Sequence, residues 1–245
     1  MTLPADWPEQ REALRRIATY VLARARYVAT GRVSLEPTAG GFGTPTFVAA
    51  DGAFRRLRIT SSAGAYLVDE HIAAHGATTR YIELTGTSLD ALADATGVDL
   101  DGTFSVGHDA VELGDPGRPI SVAPWAVSTI GDWYALGSIA IDRAISGSTA
   151  RAPSVARIWP EHFDLGTDVE VAPGRRCNLG ASAGDEAHPA PYLYVGPWGD
   201  ERPGDDGYWN APFGAVRGFA DVVANDDPQL AATAFFHDGI DRLGA

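Results

Sequence analysis

The 245-residue chain contains no lysine, and all 19 of its basic residues are arginines. Without lysine, the chain cannot form a Schiff base, hold pyridoxal phosphate as an internal aldimine or supply the lysine of a phosphate-binding loop. The single cysteine, Cys177, excludes an intrachain disulfide, a multi-cysteine zinc site and a dithiol redox centre. Catalysis, if any, would therefore depend on carboxylate and histidine side chains, with or without a metal ion. The sequence identifies no cofactor.

Positive charge and long apolar runs are also scarce. The formal net charge is −13 and the isoelectric point is near 4.7. Nucleic acids and anionic membranes bind through basic surfaces, so neither is an expected partner. No apolar stretch approaches the roughly 18 residues of a membrane-spanning helix, and the N-terminus lacks a basic segment followed by an apolar run. We therefore expect a cytoplasmic protein.

What the chain does contain is ordinary globular composition, with 45% hydrophobic and 21% charged residues. A chain of this length can bury a large core without disulfides or structural metals. Apolar spacing predicts two long helices, one short helix and a C-terminal helix, over residues 7–30, 124–146, 88–96 and 228–243. Short segments rich in β-branched and aromatic residues predict strands over 32–36, 46–50, 54–60, 65–70, 79–85, 155–159, 163–171, 175–181 and 191–195.

The order of these elements is typical of an α+β fold, because the regular alternation of a parallel sheet is missing. A turn over residues 61–64 between two strands predicts antiparallel pairing. We expect residues 1–245 to form a single domain. An alternative is two β-rich halves, 1–146 and 154–245, joined by a linker near 147–153.

Several short motifs resemble functional sites but are better interpreted as ordinary turns or strands. Residues 180–184 match the Gly-x-Ser-x-Gly pattern of a nucleophile elbow, but no helix can follow before Pro189, so we predict a turn. The glycines at 40, 41 and 43 precede a proline and predict a flexible turn. The arginines at 55, 56 and 58 are interpreted as the exposed face of a strand.

The strongest chemical candidates lie in the C-terminal half. His162 and Asp164 are two residues apart and would share one face of a strand, and Asp185 and His188 follow in a loop. Asp164, His162 and His188 are therefore candidates for acid–base catalysis, and the same three residues are candidates for binding a divalent metal. The segments around His162 and His188 are equally well interpreted as ordinary residues at the start of strands, without a chemical role.

Aromatic residues crowd into positions 159–213, interleaved with polar ones. The aromatic residues are Trp159, Phe163, Tyr192, Tyr194, Trp198, Tyr208, Trp209 and Phe213. Aromatic walls with a few polar groups form small-ligand pockets, and they also form cores. The residues predicted to bind a ligand are Asn178, Asp185, Tyr192, Tyr194, Trp198 and Asn210.

The same segment carries a family resemblance. It contains Phe163-Asp164-Leu165, a Gly-Ala-Ser-x-Gly-Asp turn, the strand pattern of Pro191, Tyr192 and Tyr194, and an Ala-Pro-Phe segment before a terminal Asp-Pro helix. Over residues 155–243 this order resembles an uncharacterised bacterial family, of actinobacterial type, whose function is unknown. The resemblance implies no activity.

Two functional hypotheses follow. The first is a small-molecule-binding domain, with or without catalysis, anchored by Asp164. If Asp164 is buried, it should accept hydrogen bonds from backbone N–H groups of residues 178–184, or pair with an arginine or His188. The second is a non-catalytic interaction or structural protein, a homodimer formed through its aromatic surface.

Overall fold

The computed structural model describes residues 2–205 and 207–245, and it confirms an α+β fold with antiparallel sheets. The chain divides into two compact units. The N-terminal unit comprises residues 6–132 and 158–163, and the C-terminal unit comprises 133–157 and the described part of 164–245, together with residues 2–5. The division at 132/133 lies within a helix, and residues 147–153 belong to the C-terminal unit.

A long N-terminal helix occupies the predicted residues 7–30, but it is not uniform. It consists of α1 (Trp7–Ile17), a π-helical segment (Ala18–Ala23) and α2 (Arg24–Thr30). The left-handed Gly31, with φ of 70°, ends it as predicted. The apolar stripe is fully buried in the N-terminal unit and includes Leu14, Ile17, Val21 and Leu22. The π-helical segment has no signal in the sequence.

The sheet of the N-terminal unit has six strands. They are β1 (Glu36–Thr38), β2 (Gly41–Gly43), β3 (Phe47–Val48), β4 (Phe54–Ser61), β5 (Ala65–Ala73) and β6 (Gly76–Glu83). The order is β1-β2-β4-β5-β6, with β3 beside β4 and every pair antiparallel. The predicted β4–β5 hairpin is confirmed. Helix α3 (Leu89–Thr96) follows, capped by the Ser88 side chain and ended by Gly97.

The predicted flexible turn at residues 40–43 is wrong for Gly41–Gly43, which form the fully buried strand β2. Glycine is needed here because two backbones come close together. A Cβ on Gly131 of helix α4 (Pro124–Ser146) would lie 2.5 Å from the Gly41 nitrogen, and a Cβ on Gly41 would overlap the Ile59 carbonyl. The glycines permit close packing rather than flexibility.

The C-terminal unit contains the second sheet. Its elements are β8 (Asp164–Ala172), β9 (Arg175–Ser182), β10 (Tyr192–Pro197), β11 (Ala215–Gly218), α5 (Phe219–Val223) and α6 (Pro228–Gly244), and β7 (Arg157–Trp159) lies at the division between the units. The order β11-β10-β9-β8 is antiparallel throughout. Strand β11 and helix α5 were not predicted. Because the next element after β9 is a strand, the nucleophile-elbow pattern is not met.

The two faces of this sheet differ in chemistry. On one face Leu165, Leu179, Leu193 and Val195 are fully buried. A Cβ on Gly239 of α6 would lie 2.9 Å from the Val195 side chain, so the helix packs directly on this face. The opposite face carries the polar and aromatic residues.

Among the described residues, no helix is both long enough and apolar enough to span a membrane.

Candidate functional site

The opposite face of the C-terminal sheet brings two sequence-predicted site residues, Asp164 and Tyr192, into one row with Ser182. The strand register places Tyr192 of β10 beside Ser182 of β9, and Ser182 beside Asp164 of β8. Asp164 and Tyr192 are each only 7% exposed and Ser182 is 3% exposed. A carboxylate, a hydroxyl and a phenol therefore meet in a buried setting.

Asp164 is bound by Tyr194, whose hydroxyl donates a hydrogen bond to the carboxylate Oδ2. Tyr194 lies opposite Gly180, and a Cβ at that position would overlap the tyrosine ring. Gly180 therefore lets the ring lie across β9 and reach Asp164 on β8. Burial and the Asp164 charge raise the pKa of the Tyr194 hydroxyl, so it remains a protonated donor. This phenol is a partner that differs from the backbone, arginine or histidine partners predicted from the sequence.

A second carboxylate–phenol pair lies next to the first. The Tyr192 hydroxyl donates to Asp185 Oδ2 at 2.6 Å, and the His188 backbone N–H donates to Asp185 Oδ1 at 2.7 Å. Burial raises the pKa of Asp185, but these hydrogen bonds outweigh it and lower the pKa overall. Burial and the bond to Asp185 raise the pKa of Tyr192. At neutral pH the pair therefore consists of a carboxylate and a neutral phenol.

Four rings follow one another along this face, and we call them the aromatic row: His188, Tyr192, Tyr194 and Phe213. Successive ring centroids are 5.0, 6.2 and 6.4 Å apart. The row begins beside Asp185, passes Asp164 and ends at Phe213, which is 43% exposed. Two carboxylates, Asp164 and Asp185, are hydrogen-bonded to its two phenols.

The other predicted ligand-binding residues lie elsewhere on the unit or have structural partners. Trp198 is 63% exposed, and its indole N–H donates to Asn178 Oδ1 at 2.9 Å. Both ends of the Asn210 amide pair with the backbone of Val216, so this side chain closes a turn. The Tyr208 ring packs on Phe235 at 5.5 Å, within the unit.

The expectation that His162 and Asp164 share a strand face is wrong. Strand β8 begins at Asp164, and His162 lies in the preceding turn, where Phe163 has a φ of 52°. A left-handed residue between them breaks the two-residue alternation. The division of the chain assigns His162 to the N-terminal unit and Asp164 to the C-terminal unit.

His162 lies instead with two carboxylates of its own unit. Its Nδ1 is 3.8 Å from Asp109 Oδ2, and its Nε2 is 3.9 Å from Glu161 Oε2. Among the described residues, the ligand atoms of these three lie within 4.8 Å of one another, close enough to be considered for metal binding, and Asp164 and His188 are not in the group. Of the three candidate metal ligands named from the sequence, His162, Asp164 and His188, only His162 belongs to this group. Asp109 could not be found from sequence because helix α4 and strand β7 lie between it and His162 along the chain.

The N-terminal unit also contains a charge cluster around the buried Asp69, which the sequence did not reveal. Asp69 of β5 is 5% exposed and receives two hydrogen bonds from Arg55, at 2.9 and 3.0 Å, and one from Arg80 at 2.9 Å. Arg55 also donates to the Thr96 carbonyl, and Arg80 to the Ala95 carbonyl, at the end of α3. Arg55 therefore does not lie on an exposed face as predicted. The cluster ties the sheet to the helix.

Comparisons with known proteins find no matching family model, no similar curated protein and no similar solved structure. The resemblance of residues 155–243 to an uncharacterised bacterial family stays a prediction.

Proposed function

We propose that this chain is a small-molecule-binding protein whose ligand lies along the aromatic row of the C-terminal unit. The observation that carries the proposal is Asp164, a carboxylate only 7% exposed and held by the Tyr194 hydroxyl. Apolar residues of similar size would cost less stability at such a position. Buried titratable groups with specific partners cluster at functional sites, so a binding role accounts for this one.

The chemistry of the row favours a ligand that donates hydrogen bonds. A carboxylate only accepts hydrogen bonds, and both Asp164 and Asp185 act electrostatically on the same phenol, Tyr192. Aromatic faces also attract cations. We therefore propose a small organic ligand with a protonated amine or a hydroxyl facing Asp164, and an apolar part against Tyr194 and Phe213. If the protein is an enzyme, Asp164, Asp185 and His188 would act as its acid and base groups.

The test is Asp164→Asn, which keeps the shape and lets the amide oxygen accept from Tyr194, but removes the charge. With benzylamine as the probe, we expect the variant to bind at least about 10-fold more weakly, because hydrogen bonds to charged groups contribute roughly 1.5–3 kcal/mol. Benzyl alcohol should lose less affinity. Binding is followed by NMR chemical shifts, with the wild-type shifts centred on Tyr192, Tyr194 and Phe213.

Asp168→Asn is the matched control. Asp168 lies on the same strand and face, but its partner is Arg176 and its side chain is 26% exposed. We expect Asp168→Asn to leave benzylamine binding unchanged, and Asp164→Asn to keep a near-normal melting temperature. Equal affinity of wild type and Asp164→Asn would refute the proposal. Binding shifts that avoid the aromatic row would refute it too.

A homodimer is the second candidate, favoured by the 63% exposure of Trp198 and the 43% exposure of Phe213. Tryptophan and phenylalanine are enriched at protein interfaces. If the chain dimerises through this surface, sedimentation velocity at micromolar concentration should show a dimer that Trp198→Ser dissociates. Trp159→Ser, at a tryptophan that is 46% exposed in the other unit, should have no effect. A wild-type monomer would exclude this candidate.

A cytoplasmic location and the lack of a nucleic-acid partner also stay predictions. They are supported by the single cysteine and by the net charge of −13.

A further inference from the structure

Asp109, Glu161 and His162 come together within the N-terminal unit, and none of them belongs to the aromatic row. One ligand atom from each lies within 4.8 Å of the others. Ligand atoms around an ion with bonds of roughly 2.1 Å are about 3.4 Å apart in a tetrahedron. Asp109 and Glu161 now lie nearest different imidazole nitrogens, at 3.8 and 3.9 Å, so side-chain rotation toward one nitrogen is needed to place all three ligands on one ion. We propose that these residues bind a divalent transition-metal ion, with Zn²⁺ as the best match.

Glu161 is already oriented for this role. Its Oε1 accepts the backbone N–H of His108 at 2.5 Å and that of Asp109 at 3.3 Å, while Oε2 is the oxygen near His162. One oxygen positions the carboxylate and the other is directed toward the imidazole.

Arg15 fixes the two segments that carry the three ligands. Its guanidinium donates to the backbone carbonyls of Asp109 and Glu161, which belong to distant parts of the chain. These bonds go to the main chain, so they do not occupy the carboxylate oxygens. The loop at 107–109 and the turn at 161–163 are therefore held side by side before any ion binds.

The donor set selects the kind of metal. Two carboxylates balance the charge of a divalent ion, and a neutral imidazole favours zinc and its transition-metal neighbours over Mg²⁺ and Ca²⁺, which prefer oxygen. The Asp109 side chain is 71% exposed and that of His162 is 55% exposed. Three protein ligands at the surface leave a position for water, an arrangement shared with catalytic zinc sites.

The experiment is calorimetric titration of the whole chain with ZnCl₂, in excess MgCl₂ to occupy oxygen-only sites. We expect one Zn²⁺ site in the wild type. His162→Ala and Asp109→Asn should each weaken it at least about 10-fold, since even outer-shell changes at zinc sites cost 10–100-fold. Both substitutions are at exposed positions, so an unchanged melting temperature verifies folding.

His237→Ala is the matched control, because His237 Nδ1 lies 3.1 Å from Asp241 Oδ2 in a histidine–carboxylate pair outside this cluster. It should leave Zn²⁺ affinity unchanged. Co²⁺ should broaden the amide resonances of residues 107–109 and 161–163. No Zn²⁺ binding by the wild type, equal affinity in His162→Ala, or an equal loss in His237→Ala would each overturn the proposal.

Discussion

Replacing Asp69 by asparagine should lower the free energy of unfolding by about 3 kcal/mol, because it breaks the buried pair with Arg55, whose side chain is 18% exposed, and leaves that charge uncompensated. Asp69 accepts bonds from both Arg55 and Arg80 and is 5% exposed. Asparagine keeps the shape, but it supplies one acceptor oxygen where two are used. Urea denaturation of the wild type and the variant measures the difference.

The loss of stability in Asp69→Asn should be smaller at acidic pH than at neutral pH. Burial raises the pKa of Asp69, but the hydrogen bonds and charges of Arg55 and Arg80 outweigh it, and the pKa lies below its ordinary value of 3.8. A lowered folded-state pKa contributes stability that is fully present above the unfolded-state value and is lost as pH falls through the folded-state value. The difference in free energy of unfolding between the wild type and Asp69→Asn should therefore be constant near neutral pH. It should become smaller below about pH 4.

Glu70→Gln supplies the control for Asp69. Glu70 is the next residue of β5, faces the other side of the sheet and pairs with Arg58 at 3.0 Å, with its side chain 30% exposed. A surface ion pair of this kind contributes less than about 1 kcal/mol. If Asp69→Asn cost no more than Glu70→Gln, Asp69 would not be a buried structural charge.

Sequence reasoning predicted the elements that depend on local signals. The helices over 7–30 and 124–146 and the β4–β5 hairpin follow from apolar period and turn residues, and each is present. The arginines at 55–58 show where such signals fail. Arg55 and Arg56 are adjacent on a strand, so they point to opposite faces. Only the pairing of β4 with β5 reveals that Arg55 faces Asp69.

The candidate site shows the same limit. The sequence identified Asp164, Tyr192 and Tyr194 as chemically interesting, but the contact of Asp164 with Tyr194 depends on register across three strands and on Gly180. The cluster of Asp109, Glu161 and His162 depends on a loop and a turn that Arg15 holds together. Neither arrangement has a periodic pattern, so spacing along the chain cannot reveal it.

Gly131→Ala should destabilise the N-terminal unit by about 2 kcal/mol, although alanine is the better helix former. The new Cβ would lie 2.5 Å from the nitrogen and 2.8 Å from the Cα of Gly41, and it would meet backbone atoms that cannot rotate away. Overpacking a tightly packed core costs roughly 1–3 kcal/mol. The helix must move away from strand β2, and urea denaturation measures the loss.

The intrinsic helix preference needs a control in the same helix, and Ala135 provides one because it is exposed. Ala135→Gly should cost about 1 kcal/mol, the difference in propensity between the two residues. Without the close approach, Gly131→Ala would stabilise the protein by that amount. A stabilising Gly131→Ala would therefore show that the helix and strand β2 can separate without loss. A destabilising Gly131→Ala would show that packing requires the close approach of Gly131 to Gly41, the opposite of the flexibility that the sequence predicts there.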